Sequence, residues 1–205
     1  MKTEIKWTTP KLYLQPKVAI IGSSSNVLDR DFGKMIDQYD EVIRFNRAPV
    51  EGYEEHVGSK TTVRVVNQGV FRSVPYTGRE GFNNQPAEFI KQEKNITIVC
   101  CDEASHWMNH VDEYGLDESC AVAYLSRSHA RIPKNDKVST VGMAMVYACV
   151  ESGIVPHLYG FGVNEGAFIT HYFEDRDPNA PCHSYSRERE FLLDLKKEEK
   201  LNIFY

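Results

Sequence analysis

Seven short apolar runs recur along the chain: KVAIIG (17–22), EVIRFN (41–46), TTVRVVN (61–67), NITIVCCD (95–102), AVAYLS (121–126), HLYGFG (157–162) and LNIFY (201–205). None approaches the length of a membrane span. Short apolar runs of this kind read as buried strands. Helical patterns lie between them. Residues 28–39 place Leu28, Phe32, Met35 and Ile36 on one face. Residues 140–152 form a largely buried helical pattern, and residues 187–200 put Phe191, Leu192 and Leu195 on one side before a solvated KKEEK. Residues 86–93 and 103–114 are weaker helical candidates. Strand–helix alternation predicts an α/β fold with a mostly parallel central sheet flanked by helices, Rossmann-like and built as one domain over residues 1–205.

Bulk properties then exclude several classes of function. The 205 residues suffice for one domain with a real core, and 41% apolar and 26% charged residues are ordinary for a globular protein. The net charge is −5 and no basic run or basic helix face occurs, which argues against a nucleic-acid surface and against attraction to anionic lipid. The opening MKTEIKWTTPK lacks the apolar core of a signal peptide, so the expected location is the cytoplasm. The five cysteines (Cys100, Cys101, Cys120, Cys149 and Cys182) are odd in number and have no C-x-x-C spacing. They read as buried free thiols in a reducing compartment.

Loop-like composition falls at 68–85, 127–138 and 163–186. In open α/β sheets, ligands bind beyond the carboxyl ends of the strands. The turn after Ile21, the strand end at Asn46 and the loop after Gly162 belong at that edge. The turn reads Gly-Ser-Ser-Ser-Asn, with neither a G-x-G-x-x-G fingerprint nor a Walker lysine. Ser23, Ser24, Ser25 and Asn26 offer hydroxyls, an amide and backbone N–H groups, a cradle for a phosphate, a ribose or a base. A serine-rich helix cap is the plainer reading, and Asn46 reads equally as a turn former. Ser139 or Thr140 can cap the next helix, while Gly142 lets a ligand approach the backbone. His171 and His183 lie in one long loop beside Tyr172, Glu174 and Glu188, a grouping suited to proton transfer.

Taken in order, four of these stretches resemble the sialylmotifs of glycosyltransferase family 29, the eukaryotic-type sialyltransferases. VAIIGSSSNVLDRDFGKMIDQYDEVIRFNRAPVEGYEEHVGSKTT (18–62) is similar to the large motif, and STVGMAMVYACVESGIVPHLYGFG (139–162) to the small one. HYFE (171–174) resembles motif III, and HSYSRE (183–188) the very small motif. The resemblance implies a GT-A-like variant of the fold. It further implies that Asn26 and Asn46 hold the CMP part of a donor, with Ser23 at the first motif position and Thr140 and Gly142 touching the nucleotide. By the same resemblance His183 is the general base, His171 aids departure of CMP, and Glu188 orients the loop. Ser23 and Ser25 stand where the family has asparagine and glycine, and Val141 precedes Gly142. Val18 and the neighbourhood of Gly153 replace the family's motif-linking cysteines, a departure that fits a soluble, cytoplasmic relative of the Golgi enzymes.

The implied reaction moves a sialic acid, or a related 2-keto sugar acid, from its CMP conjugate to a glycan hydroxyl with inversion. A nucleoside monophosphate leaving group carries less charge than a diphosphate, so histidine and neutral donors can assist it without a metal or other cofactor. Two Asp-x-Asp pairs, Asp29–Asp31 and Asp175–Asp177, are the metal alternative, but neither ends an apolar strand. A binding module that keeps the CMP cradle without transfer, and a transferase using CMP-Kdo, are the rival readings. An NAD or S-adenosylmethionine enzyme ranks last, since it would want an acidic residue where the second strand ends in Asn46. The expected partners are a nucleotide-sugar donor and a glycan acceptor.

Overall fold

A computed structural model describes residues 16–67, 93–101, 119–126, 132, 137–163, 170–174 and 183–205. The helical candidates 86–93 (apart from Glu93) and 103–114, the Asp175–Asp177 pair, Cys182 and the loop 68–85 lie outside these residues. All seven apolar runs form strands: β1 (Val18–Ile21), β2 (Glu41–Phe45), β3 (Val63–Asn67), β4 (Thr97–Cys101), β5 (Ala121–Leu125), β6 (His157–Tyr159) and β7 (Asn202–Phe204). They make one sheet in the order β5-β4-β3-β2-β1-β6-β7. Every pairing is parallel.

Four helices among the described residues accompany the sheet: α1 (Gly33–Ile36), α2 (Glu54–Val57), α3 (Val141–Glu151) and α4 (Tyr185–Lys197). Side chains of a strand alternate between faces. Val18 and Ile20 of β1 therefore pack with Met143, Ala144 and Met145 of α3 and with Leu192 and Leu195 of α4. Ala19 and Ile21 pack on the other face with Val27, Phe32, Ile36, Val57 and Tyr172. With both faces covered, β1 needs no polar residue, which is why it reads as a continuous apolar run. On α3, Cys149 is fully buried and burial pushes its thiol up to about 12, so it packs as a small apolar group.

The periodic stretch 28–39 is not one helix. A 3₁₀ turn spans Ser25–Asp29, and extended backbone at Arg30 (φ −148°, ψ 157°) interrupts it before α1. Phe32 and Ile36 keep the inward face, while Met35 is 44% exposed.

The chain lays β2 to β5 outward on one side of β1, then returns to place β6 on the other. The order reverses between β1 and β6, whose registered ends are Ile21 and Tyr159. The crevice beyond such a reversal is where α/β folds bind ligands.

The loop between α2 and β3 is fastened by an arginine inside the sheet. Arg44 of β2 is 1% exposed. Its Nη2 donates to the carbonyls of Val57 (2.8 Å), Gly58 (2.9 Å) and Lys60 (2.9 Å), and its Nε to Thr61 Oγ1 (3.0 Å). Burial pushes the guanidinium down to about 10, so it stays charged at neutral pH. Asp37 Oδ1 holds the same loop through the N–H groups of Ser59 (2.8 Å) and Lys60 (2.9 Å). An unsatisfied buried carbonyl costs about 1–3 kcal/mol. Arg44→Met is therefore expected to cost about 3 kcal/mol after relaxation. Thermal unfolding should show a Tm lower by roughly 6–12 °C, and a change under about 2 °C would mean the loop does not depend on Arg44.

Candidate active site

The turn after β1 is built by backbone contact. Gly22 N donates to Tyr159 O (2.7 Å) and Ser24 N to Gly160 O (3.0 Å), which joins the ends of β1 and β6. A Cβ on Gly22 would overlap the Gly160 carbonyl, so only glycine permits this approach. Gly160 sits at φ +68°. Residues 170–174 then cross the turn as a strap. Ser25 N donates to Thr170 O (2.9 Å), Tyr172 N donates to Ser23 O (2.9 Å), and Ser24 bridges His171 in antiparallel fashion. The amides of Gly22, Ser24 and Ser25 are thus taken by the protein itself. The expected cradle is therefore narrower in backbone donors, with three of the turn's amides engaged. The turn also carries Asn26, whose Oδ1 is buried without a hydrogen-bond partner among the described residues. An orphan acceptor calls for a donor, and a sugar hydroxyl or a base amine is one while a phosphate is not.

Asn46 follows β2 in the left-handed region, at φ +45°, which asparagine tolerates better than most residues. Its N–H donates to Val65 O (2.8 Å) and its Oδ1 accepts from Asn67 N (3.1 Å). The side-chain amide nitrogen is the end left for a ligand. Arg64, 5% exposed, donates through Nη1 to the carbonyls of Asn46 (3.2 Å) and Ala48 (3.3 Å), and its Nε pairs with Glu93. Tyr172 OH donates to Pro49 O, tying the strap to the same turn. Burial raises the Tyr172 phenol to about 12, so it is a neutral donor at any ordinary pH.

A second group gathers at the start of α3. Thr140 is the N-cap, its Oγ1 accepting from Met143 N (3.1 Å). Glu188 of α4, 6% exposed, accepts from both Thr140 N and Thr140 Oγ1 at 2.6 Å. A buried carboxylate fits there because a helix N-terminus carries partial positive charge. His183 Nδ1 donates to Val138 O (2.7 Å), two residues before the cap. A carbonyl only accepts, so Nδ1 carries the proton and Nε2 of the neutral ring is the basic nitrogen. Phe161 links the two groups. Its ring lies 3.0 Å from where a Gly22 Cβ would stand and 3.5 Å from where a Gly142 Cβ would stand. It also meets Phe45 edge to face, with centroids 6.4 Å apart.

On the strap, His171 Nδ1 donates to Glu174 Oε1 (2.6 Å), and the ring stacks on Phe173. Of the Asp-x-Asp pairs, Asp29 ends the 3₁₀ turn, and Asp31 lies 3.4 Å from His56 Nδ1, away from any strand end. Asp31, Glu55 and His56 could converge on a cation, but they form an exposed cluster of a common kind.

A family model for glycosyltransferase family 29 (sialyltransferase) matches residues 14–113 and 119–200. The chain belongs to this family. It is 26% identical over 216 residues to a human lactosylceramide alpha-2,3-sialyltransferase, covering 89% of this chain and 50% of the relative. It is 36% identical over 91 residues to a Danio rerio beta-galactoside alpha-2,6-sialyltransferase 2, covering 44% and 16%. An Arabidopsis thaliana sialyltransferase-like protein 2 shares 49% over 53 residues, covering 26% and 12%. The chain thus spans between 12% and 50% of the length of these relatives. A solved mammalian sialyltransferase superposes with a TM-score of 0.66 at 22% identity, over 91% of this chain and 68% of that one, a likeness of fold. No helix among the described residues is long and apolar enough to cross a membrane.

Within this family member, Ser23, Asn26 and His171 meet at the turn and strap, Asn46 adjoins them through Tyr172, and Thr140, Gly142, His183 and Glu188 meet at α3. Sequence reasoning missed Arg64 and the Tyr172–Pro49 tie. A lone arginine in the otherwise apolar run TTVRVVN was the available signal. The two glycines separate cleanly. A methyl on Gly142 meets only ordinary contacts with Phe161 and Phe45, at 3.5 Å and beyond. Gly142→Ala should therefore keep or raise the Tm, since alanine favours a helix by up to about 1 kcal/mol. Gly22→Ala should lower it by about 5 °C or more, because backbone must shift. Equal Tm values for both variants by circular dichroism would contradict this packing.

Proposed function

We propose that this site transfers a sialic acid, or a related 2-keto sugar acid, from its CMP conjugate to a glycan hydroxyl, in one inverting displacement that needs no divalent metal. Family membership supports sialyl transfer in general. The solved mammalian relative was also captured in complex with Gal-beta-1-3GalNAc-ortho-nitrophenol, which supports a glycan acceptor here. The observation that carries the mechanism is the hydrogen bond from His183 Nδ1 to Val138 O, because it leaves Nε2 as the basic nitrogen.

In this reading the acceptor hydroxyl gives its proton to His183 Nε2 as its oxygen bonds to the anomeric carbon. The bond from that carbon to the phosphate oxygen breaks, and CMP leaves with the electron pair. Protonated His171, paired with Glu174, stabilises the charge on the departing phosphate. The orphan Oδ1 of Asn26 receives a donor group of the nucleoside, and the Asn46 amide nitrogen meets one of its acceptors. Ser23, Thr140 and Gly142 border the same nucleotide. Thr140 is held by Glu188, and the bare Gly142 leaves room for the ligand. A cytoplasmic location belongs to the same proposal and is supported by the free thiols of Cys120 and Cys149.

Incubation with CMP-N-acetylneuraminic acid and galactosides in EDTA tests this. CMP release should depend on acceptor and survive the chelator. It should fall by a factor on the order of 10² to 10⁴ in His183→Ala, with CMP binding retained. CMP binding without release from this donor or from CMP-Kdo would favour a binding module, and release from CMP-Kdo alone would move the donor assignment. Release unchanged in His183→Ala would remove it as the base.

A further inference from the structure

Glu174 closes the strap that crosses the β1 turn, and its carboxylate holds the His171 ring. Its Oε1 accepts from His171 Nδ1 at 2.6 Å, while its N–H returns to the His171 carbonyl at 3.4 Å. Its charge also acts on Arg47, the residue after Asn46. Arg47 is partly buried, which lowers its proton affinity, and the Glu174 carboxylate opposes that effect.

The ring it holds is constrained in two further ways. Phe173 stacks on His171 with centroids 5.2 Å apart and planes 26° apart, which sets the ring plane. The Ser24–His171 bridge sets its backbone. Even so, the side chains of His171 and Glu174 are 30% and 42% exposed. A pair this exposed adds little to stability. A fixed but accessible imidazole is instead what a group meeting a ligand requires.

We infer that Glu174 is a positioning residue. By accepting the Nδ1–H it fixes the His171 ring, so that in the protonated ring the Nε2–H donates to the departing phosphate. The inference rests on the transfer reading for its consequence in catalysis, but not for the geometry of the ring.

The test has two arms, so that the two readings fail separately. In the first, ¹⁵N-histidine NMR on the free protein reads the His171 ring, identified by its loss in His171→Asn. The wild-type ring should be protonated at Nδ1 with a proton shifted downfield by the carboxylate. Glu174→Gln should lose that signature, and Glu174→Asp should keep part of it. In the second arm, Glu174→Gln should lower kcat for acceptor-dependent CMP release by about 10-fold or more. The KM for CMP-N-acetylneuraminic acid should stay within about 2-fold, and the Tm within about 2 °C. An unchanged His171 spectrum in Glu174→Gln overturns the inference, whatever the activity. A lost signature with unchanged kcat overturns its role in the reaction. If the wild-type protein releases no CMP at all, the transfer reading fails and the spectrum alone decides the positioning.

Discussion

The close passage of Gly22 against Gly160 is the constraint on which the site depends. It lets the ends of β1 and β6 share two hydrogen bonds where the order of the sheet reverses. The space gained is used at once. Ser23, Ser24 and Ser25 bind the 170–174 strap, and Phe161 is seated between the β1 turn and α3. Without the missing side chains the strap could not lie where it brings His171 beside the turn. The same passage engages the Gly22 and Ser24 N–H groups, which an anion cradle would otherwise use.

Two buried arginines carry a second layer of the design. Arg44 gathers the carbonyls of Val57, Gly58 and Lys60, and Arg64 gathers those of Asn46 and Ala48. Each neutral carbonyl meets a delocalised cation that is weakly hydrated and so is less costly to bury than an ammonium. The result is that Asn46 can hold its left-handed conformation at the sheet edge. Glu188 performs the matching service for α3, where its carboxylate meets Thr140 and the positive end of the helix. On the account proposed here, both asparagines and both histidines are thereby set before any ligand arrives, which lowers the cost of binding.

Much of this was legible in the sequence. The seven strands announced themselves because strands covered on both faces must be apolar. Helix α3 did so for the same reason, and its cap was readable in Ser-Thr before an apolar run. The stretch 28–39 misled, because periodicity is blind to a break made by one extended residue, Arg30. It also placed Met35 inward, although Met35 is 44% exposed. The amide cradle was only partly legible, for a different reason. Which backbone donors stay open depends on where residues 170–174 return, a long-range fact that local composition does not contain. The candidate residues stood out by chemistry and position, and their individual roles came from motif resemblance. The sequence did not show that Asn26 Oδ1 has no partner among the described residues or that His183 is protonated at Nδ1.

The central claim is that the β1 turn and the start of α3 form one nucleotide site, with Asn26 as its unsatisfied contact. CMP titration by calorimetry and thermal shift, on wild type and Asn26→Ala, tests it most directly. At 100-fold excess over Kd, a ligand specific to the folded state adds about 2.7 kcal/mol. The account predicts that CMP raises the wild-type Tm by roughly 5–10 °C, that NAD does not, and that Asn26→Ala loses most of the shift while folding normally. No shift with CMP, or an equal shift in Asn26→Ala, would contradict it.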